Sequence, residues 1–198
     1  MTTLYRPDVL RIVDEVFADQ PLVLTIGGVI REMLALVGRK PNHLYSLDAM
    51  GQTVAIGLGL ALGLEEAQRP ARVVVVEGDG SLLMGFSVLA TVGALTPSKL
   101  VVAVVDNGVY LATGGQPTAA NSTDFVQVAL NCGWAAARDV PPDLAAVRDA
   151  LTWARSTTGP ILLRIRVGPE QPKTDFFLED PVLLARQFEA WLATQQPR

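Results

Sequence analysis

Two side chains that could bind a metal ion, Asp79 and Asn107, each come shortly after an apolar run of the sequence. Asp79 lies between Gly78 and Gly80, and Asn107 follows Asp106. A carboxylate and an amide oxygen suit Mg²⁺, which is commonly held by few protein groups while phosphate oxygens and water complete its shell. The flanking glycines leave the backbone free to adopt positive φ and let a ligand approach closely.

The apolar runs alternate with longer segments of helical periodicity, which is typical of a parallel sheet covered by helices on both faces. The sequence therefore predicts an α/β fold with a doubly wound, mostly parallel six-stranded sheet. The predicted strands cover residues 22–26, 44–47, 72–77, 100–106, 135–140 and 161–167. The predicted helices cover residues 8–18, 29–37, 52–67, 87–95, 124–132, 143–156 and 182–194.

This sheet would bring the two candidate ligands together. The strands 72–77 and 100–106 would be joined by the helix 87–95 in a right-handed parallel crossover, so their carboxyl ends meet at one edge. Ligands of such sheets bind beyond the carboxyl ends of the strands. We therefore expect Asp79 and Asn107 on the same rim.

The length of the chain favours a single domain. A chain of 198 residues is long enough for one well-buried core, and we expect one domain over residues 1–198. Residues 168–180 carry proline and charge with little periodicity. They are predicted to connect the sheet to a final helix.

The composition argues against several classes of function. Hydrophobic residues make up 49% and charged residues 18% of the chain, so we expect much buried surface, including some against a partner. The net charge of -4, without a lysine or arginine run, argues against nucleic acid. The longest apolar stretch, 54–64, is shorter than the roughly 20 residues that cross a bilayer, and we see no signal peptide. We expect a cytoplasmic protein that does not bind a membrane.

Three features have a structural interpretation. The lone cysteine, Cys132, excludes an internal disulfide and a cysteine-bound iron–sulfur cluster, and we expect it to be a packed core thiol. The sole histidine, His43, is expected in a surface loop, so no histidine-based catalytic triad is predicted. Gly57, Gly59 and Gly63 lie within a predicted helix, which favours close helix packing over dinucleotide binding.

The GDG motif around Asp79 is followed, after 25 intervening residues, by the pair Asp106-Asn107. This arrangement resembles the signature of thiamine diphosphate (TPP) enzymes. The resemblance implies TPP and Mg²⁺ as cofactors. It also implies that the metal ligands are Asp79, the side chain of Asn107 and the backbone carbonyl of Val109.

The same resemblance implies a set of residues around the diphosphate. Gly78, Gly80, Ser81 and Tyr110 would line the cofactor site. Gly80 and Ser81 would contact the diphosphate through backbone N–H groups or through the hydroxyl, as phosphate sites generally do.

A second block, SLDAMG at residues 46–51, resembles the segment that precedes the long glycine-rich helix in these enzymes. The resemblance implies that Met50 lies beneath the cofactor and bends it into a V. The carbonyl of Asp48 would accept a hydrogen bond from the 4-amino group of the pyrimidine, and Gly51 would allow close approach.

A third block, DNGVY followed by TGGQPT, is similar to the sulfopyruvate and phosphonopyruvate decarboxylases. That likeness runs over about residues 20–125 and implies decarboxylation of a small 2-oxo acid. Leu111 and Ala112 depart from those decarboxylases, which leaves the identity of the 2-oxo acid open. Arg31 and the loop 113–118 are candidates for binding an anionic substrate tail.

The family's chemistry also needs a glutamate that bonds to the pyrimidine ring and belongs to a separate pyrimidine-binding domain. No glutamate of this chain sits in a matching motif. The resemblance therefore implies the β subunit of a two-chain decarboxylase, inactive without an α subunit that supplies this glutamate. We expect a hetero-oligomer or a homodimer. Two alternatives stay open: half of a carboligase resembling acetolactate synthase, and a non-catalytic TPP-binding protein.

Overall fold

The computed structural model describes residues 3–176 and 179–195, and its centre is a parallel sheet. The strands in chain order are β1 (Leu22–Leu24), β2 (His43–Tyr45), β3 (Val73–Gly78), β4 (Leu100–Asp106), β5 (Val109–Tyr110), β6 (Gln116–Pro117), β7 (Ala136–Val140) and β8 (Ile161–Arg166). Six of them form one sheet in the order β2-β1-β3-β4-β8-β7, and all neighbouring pairs are parallel. The strands β5 and β6 form a separate antiparallel hairpin.

Helices cover both faces of this sheet. In chain order they are α1 (Arg6–Val16), α2 (Gly28–Val37), α3 (Thr53–Glu66), α4 (Asp79–Met84), α5 (Val88–Leu95), α6 (Phe125–Asn131), α7 (Leu144–Ser156) and α8 (Pro181–Thr194). One buried cluster joins the sheet to α1, α2 and α7, and a second joins its other face to α3, α5 and α6. The predicted doubly wound α/β fold is confirmed.

The central strand β4 shows why the strands are continuous apolar runs. All seven of its residues are buried. Val101 and Val105 pack in one core cluster, whereas Val102 and Val104 pack in the other. Because both faces of a parallel strand are covered, apolar residues do not alternate with polar ones.

Several local expectations were wrong. The helix α4, which begins at the GDG motif, was not predicted. His43 lies in β2 rather than in a surface loop, and it is only 2% exposed. Cys132 is only half-buried, although it packs against the second core cluster. Close helix packing is confirmed at Gly57, where a β-carbon would lie 2.1 Å from Cγ2 of Val75. It was wrong for Gly59 and Gly63, where a β-carbon would meet no described atom within 4 Å.

The segment after β8 has no helix or strand over residues 168–176. Residues 177 and 178 of the predicted connection, and both ends of the predicted 1–198 domain, lie outside the described residues. Among the described helices, none combines the length and apolar character needed to cross a membrane.

Candidate functional site

The carboxyl ends of β3 and β4 meet as the parallel crossover requires. Gly78 at the end of β3 is in register with Val105 near the end of β4. Asp79 follows β3 at the start of α4, and Asn107 follows β4. The backbone N–H of Asn107 donates to Oδ1 of Asp79 at 3.3 Å. The structure thus brings the two predicted metal ligands to one rim.

Asp79 is a buried carboxylate whose hydrogen bonds involve both oxygens. Only 2% of the residue is exposed, and its Oδ2 accepts a hydrogen bond from the hydroxyl of Thr118 at 2.6 Å. Burial raises the pKa of Asp79; the hydroxyl of Thr118 opposes this rise, and the charge of Asp106 adds to it. A divalent cation beside Asp79 would offset the cost of burying its charge.

The chain after β4 turns sharply around Asn107. Oδ1 of Asn107 accepts a hydrogen bond from the N–H of Val109 at 3.1 Å, as asparagine side chains commonly do in turns. Gly108 has φ of 71°, and its N–H donates to Oδ1 of Asp106 at 3.0 Å. This turn places Asn107 and Val109 next to each other at the rim.

The glycines beside Asp79 do not use the positive φ that glycine permits. Gly78 has φ of -94° and ψ of 150°, and Gly80 lies within α4. At Gly80 the requirement is for space. A β-carbon there would lie 2.4 Å from Cε1 of Tyr110, whose hydroxyl donates to the carbonyl of Gly80 at 3.4 Å. The Tyr110 ring therefore packs directly over Gly80.

Ser81 directs its hydroxyl towards the protein interior. Its Oγ accepts hydrogen bonds from the N–H of Gly51 at 2.9 Å and from the hydroxyl of Thr25 at 3.2 Å. Burial raises the pKa of the nearby Glu77 carboxyl, and the hydroxyls of Thr25, Ser81 and Thr53 together with the N–H of Gly78 oppose that rise. These contacts join the ends of β1 and β3 to the starts of α3 and α4. A diphosphate contact by Ser81 would therefore use its backbone N–H.

The predicted pyrimidine-side turn has two residues with left-handed backbone. Asp48 has φ of 51° and Gly51 has φ of 85°. A β-carbon at Gly51 would lie 3.1 Å from Cβ of Met84, so the glycine also allows close approach to α4. Met50, between them, is 38% exposed and faces the same cavity as Asp79.

A cavity of about 470 Å³ lies at the rim, which is within the usual range for a small-molecule site. Of the ten predicted cofactor residues, all except Asp48 and Gly51 line this cavity. The lining residues among them are Met50, Gly78, Asp79, Gly80, Ser81, Asn107, Val109 and Tyr110.

Two arginines also line this cavity, and sequence reasoning missed one of them. Arg6, which was missed, donates from Nε to Oε2 of the buried Glu32 at 2.8 Å. Arg31 lies 5.4 Å from the centre of the Phe176 ring, and its buried Nε has no hydrogen-bond partner within the described part of the chain. The partners Arg6 and Glu32 are 26 positions apart, so no local spacing could have indicated the pair.

This arrangement is a candidate cofactor site at the carboxyl edge of a doubly wound sheet, where Asn107 and the buried Asp79 line one cavity. The family model described as "Thiamine pyrophosphate enzyme, C-terminal TPP binding domain" matches residues 27–165. The chain belongs to this family of TPP-binding domains.

Similarity to individual relatives agrees with the family. The chain is 39% identical over 190 residues to a phosphonopyruvate decarboxylase of Streptomyces viridochromogenes, covering 93% of this chain and 45% of that protein. It is 33% identical over 168 residues to a sulfopyruvate decarboxylase subunit beta of Methanothermobacter thermautotrophicus, covering 84% of this chain and 83% of that one. The chain thus spans less than half of the phosphonopyruvate decarboxylase.

Solved structures show the same fold. The crystal structure of benzoylformate decarboxylase from Polynucleobacter necessarius superposes with a TM-score of 0.73 at 19% sequence identity. The match covers 87% of this chain and 34% of that one. It supports the fold alone.

Proposed function

We propose that the chain is the diphosphate-binding (β) subunit of a TPP- and Mg²⁺-dependent 2-oxo-acid decarboxylase that resembles the sulfopyruvate and phosphonopyruvate decarboxylases. The observation that carries the proposal is the buried carboxylate of Asp79 beside Asn107 at the wall of the cavity. The similarity to both kinds of decarboxylase supports the choice of reaction.

Mg²⁺ would be held by Asp79, by the side-chain oxygen of Asn107 and by the backbone carbonyl of Val109. The raised pKa of Asp79 supports this assignment, because a buried carboxylate gains from a cation that compensates its charge. The two or three protein ligands leave positions for diphosphate oxygens, as Mg²⁺ sites usually do.

The rest of the cavity would hold the organic part of TPP. The backbone N–H groups of Gly80 and Ser81 at the start of α4 would donate to the diphosphate, since the first N–H groups of a helix lack intrahelical partners. Met50 would support the bent cofactor, and the Asp48 carbonyl would orient the pyrimidine. When bound, TPP supplies the electron sink that allows carbon dioxide to leave a 2-oxo acid.

A second chain would complete the active site. Asp79 is the one carboxylate among the described residues that line the cavity, and its proposed role is metal binding. The chain covers 83% of a relative named as a beta subunit, and 45% of a relative named phosphonopyruvate decarboxylase. We therefore place the catalytic glutamate on an α subunit with a pyrimidine-binding domain. The hetero-oligomer and its cytoplasmic location stay predictions.

The proposal is tested by mixing the purified chain with a chain that carries a pyrimidine-binding domain. The first candidate for that chain is the product of a neighbouring reading frame. The isolated chain is expected to bind TPP with a dissociation constant in the micromolar range or higher, which corresponds to a binding free energy of about 8 kcal/mol or less. It should release no carbon dioxide from sulfopyruvate or phosphonopyruvate. Adding the second chain should produce activity that saturates at one-to-one stoichiometry. Rapid carbon dioxide release by the isolated chain would contradict the proposal, and formation of a condensation product would favour the carboligase alternative.

A further inference from the structure

Arg164 is a buried arginine in the strand next to β4, outside the predicted site. It lies on β8 in register with Val104, and only 3% of the residue is exposed. Its Nε donates to Oδ2 of Asp106 at 2.8 Å, and its Nη2 lies 2.6 Å from the same oxygen. Asp106 immediately precedes the proposed ligand Asn107, so Arg164 fixes the point where the loop leaves the sheet.

The remaining donors of Arg164 reach the far end of the same loop. Nη2 donates to the carbonyl of Ala120 at 2.8 Å, and Nη1 donates to the carbonyl of Thr123 at 3.3 Å. The guanidinium carbon also lies 4.8 Å from the centre of the Phe125 ring. One side chain therefore holds both ends of the segment 107–123, which we call the metal loop.

Between these two ends, the metal loop contacts Asp79. Asn107 donates its N–H to Oδ1 of Asp79, and Thr118 donates its hydroxyl to Oδ2. The N–H of Thr118 also donates to the carbonyl of Gly108 at 2.9 Å, which closes the loop on itself. Movement of either end would thus change the position of the groups around Asp79.

The energetics favour arginine over a simpler cation at position 164. The side chains of Arg164 and Asp106 are each only 4% exposed, and a buried ion pair is favourable only when its remaining donors and acceptors are also satisfied. Asp106 meets this requirement through the N–H of Gly108, and Arg164 through two backbone carbonyls. A lysine has no planar fork and could not hold the carboxylate and both carbonyls in this geometry.

We propose that Arg164 is a positioning residue for the metal site: by holding both ends of the metal loop, it preorganises Asn107 and Val109 beside Asp79 before the cofactor binds. This inference rests on the Mg²⁺ site of the proposed function. Arg164 would strengthen binding by keeping the metal loop ordered, because an ordered loop loses less conformational entropy when Mg²⁺ and the diphosphate bind.

The test compares Arg164→Lys and Arg164→Met with Arg148→Met in the isolated full-length chain. Arg148 is a matched control, since it pairs with Glu15 on the surface with 49% of its side chain exposed. Hydrogen exchange of residues 107–123 is measured without cofactor, and TPP binding is measured by calorimetry over a series of Mg²⁺ concentrations. Arg164→Lys keeps the charge, so it is the decisive variant if Arg164→Met does not fold.

We expect Arg164→Lys to accelerate exchange in 118–123 at least about tenfold and to raise the Mg²⁺ concentration for half-maximal TPP binding about tenfold. Arg148→Met should change neither quantity. The inference would be overturned if residues 118–123 of Arg164→Lys exchanged at the wild-type rate. It would also be overturned if they exchanged faster while the Mg²⁺ concentration for half-maximal TPP binding stayed unchanged. Failure of the wild-type chain to bind TPP with Mg²⁺ would instead overturn the proposed function, and the metal role of Arg164 with it.

Discussion

At Gly80, the aromatic ring of Tyr110 occupies the space that a side chain would need. The contact links the first turn of α4 to the hairpin that follows β4, and both residues line the cavity. Gly80→Ala should stabilise the helix by up to about 1 kcal/mol, because alanine favours a helix over glycine. It should also destabilise the fold, because the new β-carbon would clash with Tyr110. The free energy of unfolding is therefore a poor measure of this contact, whereas cofactor affinity isolates it.

We predict that Gly80→Ala lowers TPP affinity about tenfold, or 1.4 kcal/mol, because the β-carbon displaces the Tyr110 ring in the cavity. Calorimetry at saturating Mg²⁺ measures the effect. The control is Gly59→Ala, at an exposed position of α3 where a β-carbon meets no atom within 4 Å. It should leave TPP affinity unchanged and stabilise the fold by about 0.5–1 kcal/mol. Wild-type affinity in Gly80→Ala would show that the ring contact has no role in binding.

Among the elements, α1 and β2 are joined through the buried carboxylate of Asp14, which does not line the cavity. Nε2 of His43 lies 3.1 Å from Oδ1 of Asp14, and Nζ of Lys40 lies 2.5 Å from Oδ2 of the same carboxylate. The ring of Tyr45 packs edge-on against His43 with centroids 6.0 Å apart. Burial lowers the pKa of His43 to about 4; Asp14 opposes the shift and Lys40 adds to it.

This lowered pKa predicts a loss of stability in mild acid. The folded protein favours neutral His43, whereas the unfolded chain binds a proton near the ordinary pKa of 6.5. The contribution of His43 is therefore complete above pH 6.5 and is lost as the pH falls towards about 4, by at most about 1.4 kcal/mol per pH unit. Urea unfolding between pH 7.5 and 4.5 should show this loss in the wild type and a flatter profile in His43→Gln. Parallel profiles for the two proteins would refute the assignment.

At the scale of elements, the sequence was informative wherever a long apolar pattern decided the structure. The buried strands β3 and β4 and the helices around them were predicted because their runs reflect burial on both faces. The helix α4 was missed because glycine on both sides of Asp79 favours a turn. It forms through tertiary contacts that local sequence does not show, including Leu82 in the core and Ser81 against Gly51.

In the candidate site, too, the sequence predicted some contacts and missed others. The approach of Asn107 to Asp79 followed from strand adjacency, since their positions depend on a regular crossover. The partners Arg164 and Asp106 are 58 positions apart and meet only because β8 lies beside β4. A sequence pattern has no period that could indicate such a pair, so the residues that hold the rim in place became visible only in the fold.

For the whole molecule, the lining of the cavity includes exposed apolar side chains. Met50 and Met84 line it and are 38% and 62% exposed. Exposed apolar residues beside a ligand cavity are typical of surfaces that a ligand or partner covers. This surface agrees with the low charged fraction of 18% and with the proposed second subunit.

The central claim is that the rim of the sheet binds TPP through a divalent cation held by Asp79, and calorimetry on the isolated chain tests it most directly. TPP is titrated with Mg²⁺ and with EDTA into the wild type, Asp79→Ala and the control Asp149→Ala, which alters an exposed aspartate of α7. We predict Mg²⁺-dependent binding for the wild type and Asp149→Ala, and a loss of at least about tenfold, or 1.4 kcal/mol, for Asp79→Ala or with EDTA. Equal TPP affinity with Mg²⁺ and with EDTA, or in Asp79→Ala and the wild type, would contradict the account.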